Sequence, residues 1–503
     1  MRWKSVLSLV ATLALAVGAA SIVTGGFVIT LAGVQLSAHA AWRPLALGLG
    51  CLVAIAVAGW RRSRAPATEQ DRHAADRRIG RWFLLGAATY LVLVVAAEGS
   101  FVAGGADASG YVSQSELWAR GRLQVRQPMA ERVSWPEREW MFAPLGYRPA
   151  TIPLHMVPTY APGLPLLMSW ARTIAGDDAV FVVVPAAGLL LLLATYGLGR
   201  DLGGMPAGVL AVTLIATSPT FLHMVVQPMS DVPAAAFWTM GLLLAWKARD
   251  GRQAALAGLV AGLAILVRPN LAPLAALVCL AVLTPVASWR QSVQRMSAFT
   301  LGLLPGVVAL AGIQWHLYGS PFASGYGQLG PLFDRGNIPP NIRHYGSWLL
   351  EYETAIVCLG VLSPLLLWPR ASRSTSLTLP THLTHLFLLC LTLFTMNVAL
   401  YLPYIQFDDW AFLRFFLPGL AVLSACGAAA VVMLAGRFPR RLALASCSLL
   451  VVGAVLNGAR QRPALDVFGP RRVMQRFLQT ATYVQQAIPP DAVLFCMEHS
   501  GSL

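Results

Sequence analysis

The feature that most limits what this chain can become is the recurrence of long apolar runs separated by short, arginine-bearing loops. A run of roughly 20 apolar residues matches the hydrocarbon thickness of a bilayer. Such runs lie at 6–32, 42–60, 82–101, 178–198, 206–223, 232–247, 253–268, 271–288, 297–316, 349–368, 382–401, 413–435 and 441–457. In hydrocarbon a backbone must satisfy its polar groups within its own segment or in a closed barrel, so runs of this length predict helices. Composition agrees: 56% of the 503 residues are hydrophobic and 12% are charged, against about 25% charged in soluble domains. The expectation is an all-α polytopic membrane protein with about thirteen spans.

Arginine placement predicts the orientation, because cytoplasmic loops gather Arg and Lys. With the N-terminus inside, the inner segments are "MRWK", "RRSRAPATEQDRHAADRRIGR", "GRDLGG", "KARDGR", "WRQSVQR", "PRASRS" and "GRFPRR", all basic. The short opposite loops "LSAHAA" and "VVQPMS" carry neither Lys nor Arg, although Arg268 stands at one outer turn. The parity puts the C-terminal tail outside. It also explains the formal charge of +15 as scattered loop arginines and not as a nucleic-acid surface. "MRWK", an apolar stretch and "AHA" resemble a secretory signal. The stretch exceeds the usual core of roughly 7–15 residues, so it reads as an uncleaved span. All cysteines but Cys496 sit in apolar runs, with no spacing that suits zinc, haem or a disulfide framework.

The chain divides into an additional N-terminal hairpin at 1–60, a basic cytoplasmic loop at 61–81, a core at 82–457 and an outer tail at 458–503. The core contains two long outer loops, 102–177 and 317–348. The second is rich in Gly, Pro and Asn and reads as structureless. In the tail "AVLFCM" reads as a buried strand, and a lone strand is unstable, which suggests an incomplete soluble domain. Within the first loop, "GGADASGYVSQSELWARG" suits a helix lying in the membrane interface. Tyr111 and Trp118 would share one face, with Gln114 and Arg120 elsewhere.

Asp107 in that helix and Asp231 in "VVQPMSDVPAAAFW" both stand at helix starts on the outer side. Each has a plain structural reading: Asp107 or Ser109 caps one helix, and Ser230 or Asp231 caps the next, with Pro233 in its first turn. Their shared level gives the functional reading, because carboxylates at a membrane face commonly line a cavity. Arg268 in "ILVRPNLAP" and Arg414 in "FDDWAFLRFFLPG" lie at the same level. An arginine near a helix end can snorkel to headgroups, and its planar fork can also hold a phosphate. Two of them beside two carboxylates point to a phosphate-handling site. Glu116, His155, Tyr160 and Tyr345 are further candidates for a substrate pocket. Tyr345, with His344, ends the second loop where a lid would close.

Taken in order, "GGADASGYVSQSELWARG", "PTYAPGLPLLMSWARTIAG", "ATSPTFLHMVVQPMSDVPAAAFW", "LVRPNLAPL" and "FDDWAFLRFFLPG" resemble the GT-C class of membrane glycosyltransferases. The nearest likeness is to bacterial relatives of protein O-mannosyltransferases and of the lipid A aminoarabinose transferase. The resemblance covers roughly 82–435 and implies a GT-C-like bundle with interfacial helices in its first periplasmic loop. It implies Asp107 as catalytic base or metal ligand and Asp231 as the second acid of the site. It leaves open whether the two acids hold a divalent cation. Relatives carry a Lys-Pro-Pro or Tyr-Pro-Pro turn where this chain has Tyr160, Ala161 and Pro162, so the donor phosphate would fall to Arg268 and Arg414. The implied activity moves a sugar from a polyprenyl-phosphate donor to a lipid, glycan or protein acceptor, with inversion, outside a bacterial inner membrane. The rival reading is a polytopic transporter or lipid flippase. That class more often shows internal repeats and mid-membrane polar groups, and neither is evident here. A polymerase or ligase of surface polysaccharide is a third class, one that relies more on loop arginines.

Overall fold

The structure is a computed structural model that describes residues 27–31, 34–38, 69–284, 288–327, 330–367, 381–489, 492 and 494. Most of the two N-terminal spans, the inner segment "PRASRS" and four of the six residues of "AVLFCM" lie outside the described residues. At the described end of span 6–32 the chain is extended and not helical: β1 (Phe27–Leu31) pairs antiparallel with β2 (Val34–Ala38).

The remainder is a helical bundle. Its helices are α1 (Glu69–Glu98), α2 (Gly105–Ala119), α3 (Gly163–Ala175), α4 (Val180–Thr217), α5 (Pro219–Val225), α6 (Asp231–Lys247), α7 (Gly251–Val267), α8 (Leu274–Ala281) and α9 (Trp289–Tyr318). These are followed by α10 (Ile338–Tyr352), α11 (Ala355–Leu367), α12 (Thr381–Tyr401), α13 (Leu417–Ala435), α14 (Arg440–Ala464) and α15 (Gly469–Ala487). Among the described residues five helices are long and apolar enough to cross a membrane: Asp76–Glu98, Asp177–Thr217, Trp289–Tyr318, Leu383–Tyr401 and Trp410–Ala435.

Several expected spans have a different shape, each for a local reason. Helix α4 covers two of them. Its backbone leaves helical geometry at Gly203 and Gly204, the latter at φ +77°, and Pro206 follows. A Cβ on Gly199 would lie 2.8 Å from that of Ala211, although twelve residues of straight helix would span about 18 Å. The chain therefore doubles back at "GRDLGG". The span expected at 271–288 is the eight-residue α8, which follows a 3₁₀ turn at Pro269–Leu271. The loop expected to be structureless at 317–348 contains most of α10, whose apolar side carries the buried Tyr345.

Small residues set the closest helix contacts. Gly258 and Gly262 on α7 face Gly302 and Gly306 on α9, and a Cβ on Gly258 or Gly302 would lie 2.0 Å from the partner helix's carbonyl oxygen. Such small-xxx-small pairs let backbones approach without a hydrophobic driving force between helices. The core is built on the two arms of α4, which pack against α1, α6 and α13. The long loop at 102–177 is ordered. A three-stranded antiparallel sheet, β3 (Val125–Arg126), β5 (His155–Pro158) and β4 (Tyr147–Pro149) in that spatial order, packs beside α2 and α9.

Candidate active site

Glycine geometry brings the first acid into place. Gly104 is extended, and Gly105 opens α2 at φ +73°, a conformation that costs glycine least. No side chain caps this helix, so neither Asp107 nor Ser109 is its N-cap. Asp107 instead stands in the first turn, where the helix's positive end favours an anion. Gly110 lies one turn on, and a Cβ there would fall 2.2 Å from the Tyr160 ring. The missing side chain lets Tyr160 lie against α2 and donate its hydroxyl to Asp107 Oδ1 at 2.9 Å. Burial and the negative charge of Asp107 push the Tyr160 hydroxyl well above its ordinary range, so it stays a donor.

The second acid opens α6. Ser230 precedes it without making a side-chain cap and accepts a hydrogen bond from the Tyr111 hydroxyl at 3.0 Å. Asp231 is the first residue of α6, fully buried, and Arg268 donates to its Oδ1 at 2.7 Å. Arg268 ends α7 where Pro269 removes the next helical donor. Arg414 lies in the 3₁₀ turn Trp410–Phe416 that leads into α13. Its Nη2 is 3.5 Å from Asp107 Oδ2, and its Nε is 4.0 Å from Asp231 Oδ1. The four residues, drawn from four separate elements, thus form one cluster.

Aromatic rings hold the cations. The Phe415 ring lies 5.3 Å from both guanidinium carbons, and Phe412 lies 5.0 Å from that of Arg414. Tyr401 stacks on Phe415 at 4.6 Å and accepts from Asn270 at 2.8 Å. Cation–π contact of this kind fixes a guanidinium without saturating its donors. Arg414 Nε is buried with no hydrogen-bond partner, and so is Asp231 Oδ2. The two acids differ in access: the Asp107 side chain is 43% exposed and that of Asp231 is 0%. One can meet a substrate, while the other can only orient its neighbours.

The other predicted residues are placed as follows. Tyr345 packs its ring 4.5 Å from that of Phe416, and its hydroxyl is buried without a partner. Glu116 is on the surface, 2.5 Å from Arg120 and 3.5 Å from Arg172. His155 starts β5, and its Nδ1 lies 3.0 Å from the Pro153 carbonyl oxygen. Gln114 is not apart from Tyr111 and Trp118: spacings of three and seven put all three on one buried face. Sequence reasoning missed Tyr111, Ser230, Tyr401, Phe412 and Phe415. The only signal for the last two was the density of rings in "WAFLRFF".

Asp107 and Asp231 do not fit a shared divalent cation in this arrangement, because Arg414 already stands against both and a second positive charge would be repelled. Among the described residues no group of three His, Cys, Asp or Glu could hold a metal. Two acids and two arginines balance in charge, and hydrogen-bonding capacity stays open on both sides, at Arg414 Nε and at Asp231 Oδ2.

A multi-pass helical bundle with this charge cluster at one end has the architecture of the GT-C class of membrane glycosyltransferases. Residues 159–315 match the family model of dolichyl-phosphate-mannose-protein mannosyltransferase. ArnT from Cupriavidus metallidurans bound to undecaprenyl phosphate has a similar structure, with 13% identity, 83% of each chain covered and a TM-score of 0.51. The apo state of the same protein matches with 11% identity, 83% of each chain and a TM-score of 0.50. An oligosaccharyltransferase from Archaeoglobus fulgidus, in complex with Zn and sulfate, is 16% identical, with 81% of this chain and 55% of that one covered and a TM-score of 0.47. No curated protein matches the sequence significantly. The matched segment and the shared fold together place the chain's architecture with the GT-C membrane glycosyltransferases.

Proposed function

We propose that this protein transfers a sugar from a polyprenyl-phosphate donor to an acceptor hydroxyl or amine on the outer side of a bacterial cytoplasmic membrane. The observation that carries the proposal is the state of Arg414. It is held between two carboxylates at 3.5 and 4.0 Å, both long for hydrogen bonds, with its Nε buried and without a hydrogen-bond partner. A guanidinium kept in place by rings and left short of acceptors is ready for a phosphate. The ArnT structure that shares the fold contains undecaprenyl phosphate, which supports a donor of that kind here.

In this reading Asp107 takes the proton from the acceptor while the acceptor oxygen or nitrogen attacks the anomeric carbon. The new bond forms on the face opposite the departing phosphate oxygen, whose bond to that carbon breaks with its electron pair. The transition state is oxocarbenium-like, and a single displacement inverts the sugar carbon. Arg414 and Arg268 neutralise the charge that builds on the phosphate. Asp231 holds both arginines, and Tyr160 fixes the Asp107 carboxylate. The purified protein should release free polyprenyl phosphate from radiolabelled polyprenyl-phosphate sugars when membranes supply an acceptor. Translocation of the intact lipid-linked sugar without bond cleavage would instead support the transporter reading.

A further inference from the structure

Away from the four charges, the link between α10 and α11 and the outer half of α14 line an open groove of about 520 Å³. Both α11 and α14 pack on α13 and leave this space beside it. Its walls toward the membrane interior are apolar, with Ile356, Leu449 and Val452 among them. At its outer end stand Glu351, Glu353, Thr354 and Gln461. The chain carries 37 Lys and Arg against 22 Asp and Glu, yet the groove is lined by two acids and by no Arg or Lys. Buried oxygens of Thr354 (Oγ1) and Gln461 (Oε1) lack hydrogen-bond partners. Gly453 adds room, since a Cβ there would meet nothing within 4 Å.

A slot that is apolar below and acidic above complements one kind of molecule. We infer that this groove binds a bilayer lipid whose headgroup carries an ammonium, with an acyl chain between α11 and α14 and the ammonium at the exposed Glu351 carboxylate. The Gln461 and Thr354 oxygens accept further N–H donors of the same group. Free amines in water fit only the upper half, and an anionic headgroup meets the Glu351 carboxylate. The inference is independent of the glycosyl-transfer reading.

The test uses full-length protein in nanodiscs of equal phosphatidylethanolamine and phosphatidylglycerol with matched chains. After release into mild detergent, retained lipids are counted by native mass spectrometry. Phosphatidylethanolamine should be retained over phosphatidylglycerol by about fivefold, the size expected for one partly exposed ion pair. Glu351→Gln, a surface change, should abolish most of that preference. Gly453→Phe should fill the slot and remove the retained lipid, with folding checked by thermal unfolding. Equal retention of the two lipids by the unmodified protein overturns the inference. So does an unchanged preference in either folded variant.

Discussion

Arg414 shows how much geometry a single charged residue can carry. Two rings and two carboxylates fix its plane. A lysine there would keep the charge and lose the fork. Arg414→Lys should therefore lower kcat/KM by about 100-fold, the scale of losing one preorganised donor; steady-state kinetics on the donor will read it. Gly110 is a second test at this scale. Gly110→Ala would drive a methyl group into the Tyr160 ring and break the hydroxyl contact to Asp107. Overpacking of this kind costs about 1–3 kcal/mol, visible as a lower Tm. Activity should fall about tenfold in kcat with KM little changed, since a misplaced base weakens general catalysis and not binding. Tyr160→Phe should reproduce the kcat loss without the loss of stability. The charged residues of this cluster could be read from the sequence because carboxylates and arginines are rare at a membrane face. Their ring supports could not, because aromatic residues in an apolar protein signal core as readily as site.

At the scale of elements, most helices were legible because a bilayer leaves the backbone few alternatives. What the apolar pattern hid was where helices stop. Pro269 and Pro273 shorten the helix after Arg268, and Gly203 and Gly204 fold α4 into a hairpin. Composition also misread 317–348: two of its four prolines, Pro339 and Pro340, stand at the start of α10, where a missing N–H costs nothing, so the end of a Pro-rich loop became a helix. The α7–α9 contact gives a prediction here. Gly302→Leu would place a side chain on the Ala255 carbonyl and separate the helices. The variant should lose most folded protein in size-exclusion profiles, whereas Gly312→Leu, where a Cβ would meet nothing within 4 Å, should not. The α10–α11 link is tied to the bundle by Glu353, which lies buried between Tyr352 and Ala355 and accepts hydrogen bonds from Ser218 and Thr220.

For the whole molecule, the fold gathers onto one end groups that are far apart along the chain. The distance from Asp107 to Arg414 is 307 residues in sequence and 3.5 Å in space. The C-terminal part joins the same assembly: the amide of Gly104, just before α2, donates to Met474 Sδ of α15 at 3.0 Å. His223 Nδ1 lies 2.8 Å from the Val467 carbonyl oxygen. The region after α14 therefore braces the helix that carries Asp107. Periodicity and loop charge predicted a bundle with its acids at one level, but neither says which helices are neighbours. That information came from packing. The central claim is that Asp107 is the base of a glycosyl transfer at this end of the bundle. It is tested most directly by comparing single-turnover transfer from a polyprenyl-phosphate sugar in the unmodified protein and in folded Asp107→Asn. The expected outcome is a rate lower by about 100- to 10,000-fold, with donor binding retained. Transfer at the full rate by Asp107→Asn would contradict it.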